Sequence, residues 1–149
     1  MFNKEKIMAQ KEIKSRLEMQ DLYFPEYSFK YNKNQGNMNL TTSFNVNYAE
    51  KTDDKNQVRI ELTTLIKDDR DLFELKLVAL AFFKLNPEEL SEKEASQILR
   101  TNTVAIMFPF VRSQVSLLTT QPGMTPILLQ PINIDALVQN IFNEEKSNN

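Results

Sequence analysis

The sequence predicts an α+β fold in which a four-stranded antiparallel sheet packs against two C-terminal helices. Apolar residues alternate with polar ones through residues 38–85, which is the period of a strand with one face in a core. After Ser91 the apolar residues recur at intervals of three and four, which is the period of a helix. Because short polar turns separate the strands, we expect an antiparallel meander followed by helices, in a single domain over residues 1–149.

The chain before residue 22 fits two patterns. Ile13 and Leu17 fit one face of a helix, but with Ser15 between them they also fit the alternating face of a strand. Helix propensity favours a helix over residues 11–17. The segment that follows, "LYFPEYSFKYN", holds five aromatic side chains and a proline among polar residues, which indicates a surface segment rather than a core strand.

Alternation predicts three further strands. The first includes "NMNLTTSFNVNY" and ends in a polar turn at residues 49–57; the second covers residues 58–66 and ends in the turn "KDDRD". The third, residues 72–85, has one face that is apolar throughout and a second face that becomes apolar after Lys76, which is typical of a strand covered on both sides. The faces predicted to be apolar are Met38, Leu40, Thr42, Phe44, Val46 and Tyr48, then Val58, Ile60, Leu62 and Ile66, then Phe73, Leu75, Leu77, Ala79, Ala81 and Phe83.

The helical part begins at a capping box, in which Ser91 is followed three residues later by Glu94. A break is expected at "RTNT". A second helical stretch follows, and Pro109 inside it removes a backbone donor, so we expect a kink there. The apolar residues at helical spacing in this stretch are Val104, Met107, Phe108, Val111, Val115 and Leu118.

The segment "TTQPGMTPILLQP", residues 119–131, combines three prolines with bare aliphatic side chains. The prolines exclude a helix or strand interior, and the aliphatic residues are unusual for a solvated loop. Asn133 then caps a short last helix with Asp135 in its first turn. We expect the polar tail, from about residue 144 to 149, to fray.

Composition excludes several classes of function. The absence of cysteine excludes disulfides and thiolate catalysis, and the absence of histidine removes the commonest general base and metal ligand. No carboxylate, lysine or serine constellation stands out, so we expect no enzyme activity, no cofactor and no metal site. The carboxylate run of Asp68, Asp69 and Asp71 is interpreted as a hairpin turn.

Charge and hydropathy also limit the partners. The net charge is −2 and the sequence has no basic stripe, which argues against nucleic acid. The N-terminal residues lack the apolar core of a signal peptide. The most apolar run, "LKLVALAFFKL", is much shorter than the roughly 20 residues of a membrane-spanning helix, so we expect a cytoplasmic protein without membrane insertion.

The C-terminal part resembles the signature region of the SecB family of bacterial protein-export chaperones. The matching features are "FPF-V-R" at Phe108–Arg112, Gly-x-x-Pro at Gly123–Pro126 and Pro-Ile-Asn-x-Asp-Ala-Leu at Pro131–Leu137, in the same order and spacing. The strands from Phe44 to Leu85 agree with that family in number and order. In the N-terminal part the match rests mainly on "DLYF".

The resemblance implies a strand over residues 12–24, with an aromatic crossover after it. It also implies an ATP-independent holdase for unfolded or non-native polypeptides, assembled as a homotetramer that is a dimer of dimers. Partners implied in this way are unfolded clients, and either the export ATPase SecA or an antitoxin. Two alternatives remain open: a dedicated chaperone of one partner such as an antitoxin, and a structural oligomer without client binding.

In SecB proteins, clients lie in a groove walled by the sheet, the crossover and the loop between the helices. The residues that the resemblance assigns to peptide binding are Phe24, Tyr27, Phe29, Phe44, Val46, Leu75, Leu77, Met124, Pro126, Ile127 and Leu128. Each group also has a structural alternative. The aromatic residues and the sheet residues could belong to the hydrophobic core, and the loop residues could pack against the last helix without binding a client.

The resemblance also assigns residues to docking on SecA, and here the chain departs from the family. Asp21 matches a family docking aspartate, but Pro25 occupies the position of the second acidic residue. Glu74 and Lys76 stand where the family has a leucine and an acidic residue. We therefore expect weakened SecA docking, and we expect subunit contacts to bury the surplus apolar surface of the helix around Phe108.

Overall fold

The computed structural model describes residues 16–33 and 37–148. Four strands form one antiparallel sheet in the order β1-β4-β3-β2. They are β1 (Leu17–Tyr31), β2 (Leu40–Lys51), β3 (Asp54–Asp68) and β4 (Phe73–Leu85). The chain passes from one edge of the sheet to the other between β1 and β2, and the remaining strands form a meander. The predicted fold class is therefore confirmed.

Strand β1 extends further than predicted. We expected a strand over 12–24 followed by an aromatic crossover, but β1 continues to Tyr31; residues 12–15 lie outside the described part of the chain. The register with β4 shifts between Tyr23 and Glu26, so that a bulge accommodates Pro25. Because β1 is an edge strand, a residue without a backbone N–H is tolerated at this bulge.

The turn predicted at residues 49–57 is shorter than expected. Strand β2 ends at Lys51 and β3 begins at Asp54, and these two residues are partners in the register. Polar side chains extend the ladder here because the end of a hairpin is solvated on both faces, where the strand needs no apolar residue to bury.

The helices are α1 (Glu92–Gln97), α2 (Thr103–Leu118) and α3 (Ile134–Ser147). The capping box is confirmed: Ser91 Oγ accepts the Glu94 N–H at 3.1 Å, and the Ser91 N–H donates to Glu94 Oε2 at 3.3 Å. The break expected at "RTNT" is wrong. A π-helical turn at Ile98–Asn102 joins α1 to α2, and Thr103 Oγ1 donates to the Leu99 carbonyl at 2.7 Å.

Helix α3 begins at the predicted cap, where Asn133 Oδ1 accepts the Ala136 N–H at 3.1 Å. It continues to Ser147 and thus includes residues 144–147, for which we expected fraying. Among the described residues, no helix combines the length and the apolarity that crossing a membrane requires.

The core lies between one face of the sheet, here called the inner face, and helix α2. The inner-face residues of β4, from Phe73 to Phe83, are at most 1% exposed. On α2, the residues that we expected to supply surplus apolar surface for subunit contacts are at most 7% exposed. They are Val104, Met107, Phe108, Val111 and Val115. That expectation is corrected: these side chains pack on the sheet, and the surplus lies on the opposite side of the helix, where Phe110 and Leu117 are exposed.

The carboxylate run forms the turn between β3 and β4, as predicted. Asp68 is buried and accepts the N–H groups of Asn39 at 2.8 Å and Arg70 at 3.1 Å. Burial opposes ionisation of Asp68, but the donors at Asn39, Arg70 and Leu72 outweigh it and hold the pKa of this carboxyl below its ordinary value. Within residues 16–33 and 37–148, no group of three or more His, Cys, Asp or Glu residues could hold a metal ion.

Replacing Asp68 with Asn should lower the free energy of unfolding at pH 7, because a neutral amide accepts weaker hydrogen bonds from the backbone. The contribution of Asp68 is present above the ordinary aspartate pKa of about 4 and is lost as the pH falls through the lower folded-state pKa. The difference between wild type and Asp68→Asn should therefore shrink in acid. Urea unfolding at pH 7 and pH 3 measures it, with the more exposed Asp69→Asn as control; equal losses in the two variants would contradict the assignment.

Candidate functional site

Aromatic side chains line the second half of β1 on the inner face. Directly opposite residues of an antiparallel pair share a face of the sheet. The register pairs Tyr27 with Leu77, Phe29 with Leu75 and Tyr31 with Phe73. The rings of Phe29 and Tyr31 meet the buried Phe73 ring edge-on, at centroid distances of 5.5 and 6.2 Å. Tyr27 is 54% exposed, so this row of aromatic residues begins in the core and ends in solvent.

The other predicted site residues of the sheet differ in exposure. Phe24, in the bulge of β1, is half-buried against the core. Phe44 on β2 is also half-buried and contacts the Phe108 ring edge-on at 5.8 Å. Three further residues are buried in the core, each at most 1% exposed, and offer no surface to a partner. These residues are Val46, Leu75 and Leu77.

The loop between α2 and α3 lies beside the end of β1. Tyr31 Oη donates to the Gly123 carbonyl at 3.5 Å. Gly123 has φ of +78°, a left-handed backbone conformation that favours glycine, and its Cα side faces the flexible end of the Lys33 side chain. Together these contacts place the loop against the aromatic row of β1.

Side chains of α2 also hold the loop. Thr119 Oγ1 accepts the Ile127 N–H at 2.8 Å, and Arg112 Nε donates to the Leu129 carbonyl at 2.9 Å. Arg112, the last residue of the "FPF-V-R" match, thus forms a hydrogen bond with the loop. Within the loop, Met124 and Ile127 are half-buried, Pro126 and Leu128 are exposed, and Leu129 is buried.

The predicted docking residues lie on the opposite, outer face of the sheet. Asp21 is opposite Phe82, and Lys76 is opposite Ser28. Glu74 lies within 3.7 Å of Lys67 Nζ. The cover expected on both faces of β4 is incomplete, since Leu80 and Phe82 remain half-exposed on this face. The outer face thus has an apolar centre with charges of both signs around it.

A cavity of about 590 Å³ lies at the other end of the sheet, near the β2–β3 hairpin. Tyr48 Oη donates to the Arg100 carbonyl at 2.5 Å, and the Arg100 guanidinium lies 4.2 Å from the Phe142 ring centroid. Burial raises the pKa of Tyr48 above its usual value, and the charge of Arg100 opposes this only in part. No residue pattern indicated this cavity, because the π-helical turn that brings Arg100 to it has no sequence signature.

The chain is similar to known proteins. The family model SecB, described as preprotein translocase subunit SecB, matches residues 10–145. The protein-export protein SecB of Neisseria meningitidis serogroup A is 32% identical over 82 residues, which are 55% of this chain and 54% of that protein. The chain thus spans about half the length of this relative. The protein-export protein SecB of Wolbachia pipientis wMel is 26% identical over 129 residues, 83% of this chain and 77% of that protein.

A solved structure of a SecB-like chaperone from Mycobacterium tuberculosis, in complex with a peptide from an antitoxin, has a TM-score of 0.64 with this structure. It covers 88% of this chain and 100% of its own at 13% sequence identity. At that identity the similarity shows the fold alone, which is the predicted arrangement of a four-stranded antiparallel sheet with helices.

Proposed function

This chain belongs to the SecB family, and we propose that it is a chaperone that holds unfolded or non-native polypeptides without ATP and without catalysis. The observation that carries this proposal is the loop after α2, which is fixed by hydrogen bonds yet leaves the Leu128 side chain 70% exposed. A leucine kept in water forgoes about 1.5–3 kcal/mol of burial free energy, so an ordered exposed leucine suits a surface that binds apolar chains.

The proposed contact surface, called the client surface below, joins the aromatic row of β1 to this loop. Its members are Phe24, Tyr27, Phe29, Met124, Pro126, Ile127 and Leu128. Phe44 is left out, because it lies on β2 at the opposite edge of the sheet and packs on Phe108. Val46, Leu75 and Leu77 are left out, because they are buried and support the surface from beneath. Aromatic and aliphatic side chains with one methionine can adapt to many apolar segments, which fits clients of varied sequence.

A second candidate is a dedicated chaperone for one partner, such as an antitoxin. The outer face favours it, because charges of both signs surround the apolar centre there and Lys76 stands at the family's acidic position. The Mycobacterium tuberculosis protein with this fold is bound to an antitoxin peptide. A structural oligomer without clients would need no exposed apolar side chain on a fixed loop.

Refolding of a chemically denatured test protein measures holdase activity. We expect the chain to suppress recovery of the native test protein at a small molar excess, with ATP making no difference. Full recovery at a tenfold excess, together with no complex on size-exclusion chromatography, would exclude a general holdase. Identification of polypeptides that co-purify from cytoplasmic extracts then separates many clients from a single partner.

Docking on SecA should be weak in the wild-type chain. Lys76 places a positive charge on the outer face, and Pro25 supplies no carboxylate. We expect Lys76→Glu to strengthen binding to purified SecA by about two- to fivefold at low salt, the range for an exposed charge contact. The gain should fall as salt is raised. Tight, salt-sensitive binding by the wild type, left unchanged by Lys76→Glu, would show that these departures do not affect docking.

We also propose that the chain assembles as a homotetramer, a dimer of dimers. Phe110, Ser113 and Leu117 follow each other along α2 at intervals of three and four residues, and all three are exposed. This spacing is the seam of a helix that packs against another helix. The side of α2 that packs on the sheet is buried, and part of its exposed side is also apolar.

A further inference from the structure

Burial alternates along the last part of the loop. Ile127 is half-buried, Leu128 is 70% exposed and Leu129 is 7% exposed. Successive side chains point to opposite sides in an extended segment. The direction of Leu128 is therefore fixed once the backbone on either side of it is fixed.

Two polar side chains of α2 fix that backbone. The Ile127 N–H donates to Thr119 Oγ1 at 2.8 Å, and the Leu129 carbonyl accepts from Arg112 Nε at 2.9 Å. Backbone groups of alternate residues point to the same side of an extended segment, so both bonds hold the side that faces the helix. Because side chains of an extended segment stand roughly perpendicular to such bonds, Leu128 projects to the side opposite Ile127 and Leu129, where it is 70% exposed.

The two side chains are placed to act together. Arg112 and Thr119 are seven residues apart, which is about two helical turns, so they lie on nearly the same stripe of α2. Thr119 is 0% exposed, and its hydroxyl donates to the Val115 carbonyl at 2.8 Å, which orients the oxygen as the acceptor for Ile127. Its neighbour Thr120 makes a similar bond to the Ser116 carbonyl at 2.7 Å, but its hydroxyl does not hold the loop.

We propose that Arg112 and Thr119 are positioning residues that clamp residues 127–129 and so hold Leu128 out as a preformed anchor for an apolar client segment. This inference rests on the proposed function, because an anchor needs a client. Without the clamp, Leu128 would sample positions folded back on the protein, and only a fraction of molecules would present it. The apparent affinity for clients would then be the intrinsic affinity multiplied by that fraction.

The clamp itself can be measured without any client. The chain has no cysteine, so Leu128→Cys creates a single site for a nitroxide spin label. Thr119→Val removes the hydroxyl at nearly constant volume, Thr119→Ser keeps it, and Thr120→Val is the matched control. We expect greater label mobility with Thr119→Val, and unchanged spectra with Thr119→Ser and Thr120→Val. Arg112→Met should also raise the mobility, and because Arg112 is exposed this variant does not threaten the core.

Client dissociation from the unlabelled proteins, with Leu128 intact, gives the second readout. We expect Thr119→Val and Arg112→Met each to speed dissociation of a bound unfolded protein by about fivefold, in the range for loss of one hydrogen bond. Thr120→Val should match the wild type, and Thr119→Ser should restore it.

Each outcome bears on a different part of the proposal. Unchanged label mobility in both Thr119→Val and Arg112→Met overturns the clamp. Raised mobility with unchanged client dissociation overturns the anchor role of Leu128. A wild type that captures no client in the refolding assay refutes the proposed function and the anchor role with it, while the spectra still decide whether the clamp exists.

Discussion

Replacing Leu128 with serine is expected to weaken capture of an unfolded client by about tenfold, with little change in melting temperature. Leu128 is 70% exposed in the free protein, so its loss removes little native packing. Burying a leucine against a client contributes about 1.5–3 kcal/mol, and each 1.4 kcal/mol is a factor of ten in affinity. Fluorescence titration with a labelled unfolded client and a thermal melt on the same sample measure both quantities.

The neighbouring Leu129 provides the matched control. Leu129 is 7% exposed and lies within the hydrophobic core, so Leu129→Ser should lower the free energy of unfolding by about 2–4 kcal/mol. Its effect on capture should follow from the unfolded fraction alone. If Leu128→Ser instead loses stability in step with binding, the loop is structural filler and the client surface is misplaced.

A triple replacement of Met124, Ile127 and Leu128 by serine is less selective than the single one. Met124 and Ile127 are half-buried against the core, so part of their effect will appear in stability. Capture should still fall by at least about tenfold after correction for the unfolded fraction, allowing for non-additivity among neighbours. The difference between the triple and single variants then measures how much Met124 and Ile127 add to client binding.

The parts of the fold that could be predicted are those governed by local pattern. One face of β4 is apolar throughout from Phe73 to Phe83, and every residue of that face is buried. The Ser91 and Glu94 pair is local chemistry, and both of its hydrogen bonds are present. In such cases the residues that determine the structure are within a few positions of each other, so periodicity and capping suffice.

The parts that could not be predicted depend on contacts between distant segments. Pro25 argues against a strand locally, but the pairing of β1 with β4 carries the strand past it through a bulge. Which leucine of "PILLQ" faces solvent is decided by Arg112 and Thr119, which lie 17 and eight residues from their loop partners. Hydropathy assigns Leu128 and Leu129 the same value, so the sequence identified the loop without separating anchor from core.

Glutamate at both Phe110 and Leu117 is expected to dissociate the assembly while leaving the protomer folded. Phe110 and Leu117 are 45% and 66% exposed in the protomer, so their replacement removes little packing within it. At a helix–helix seam each glutamate would be buried without a partner, which costs several kcal/mol per charge. A tetramer contains four copies of each glutamate, so the total free-energy cost of assembly is several times larger.

Light scattering at tens of micromolar should give the mass of a tetramer for the wild type and half that mass or less for the double variant. Circular dichroism should show unchanged strand and helix content. Ala105→Glu is the control, because Ala105 is exposed on α2 but lies about 140° around the helix from Phe110, outside the proposed seam. A wild type that is monomeric under these conditions would contradict the proposed tetramer. A double variant that stays tetrameric would instead place the subunit contact elsewhere and leave the apolar stripe of α2 available to clients.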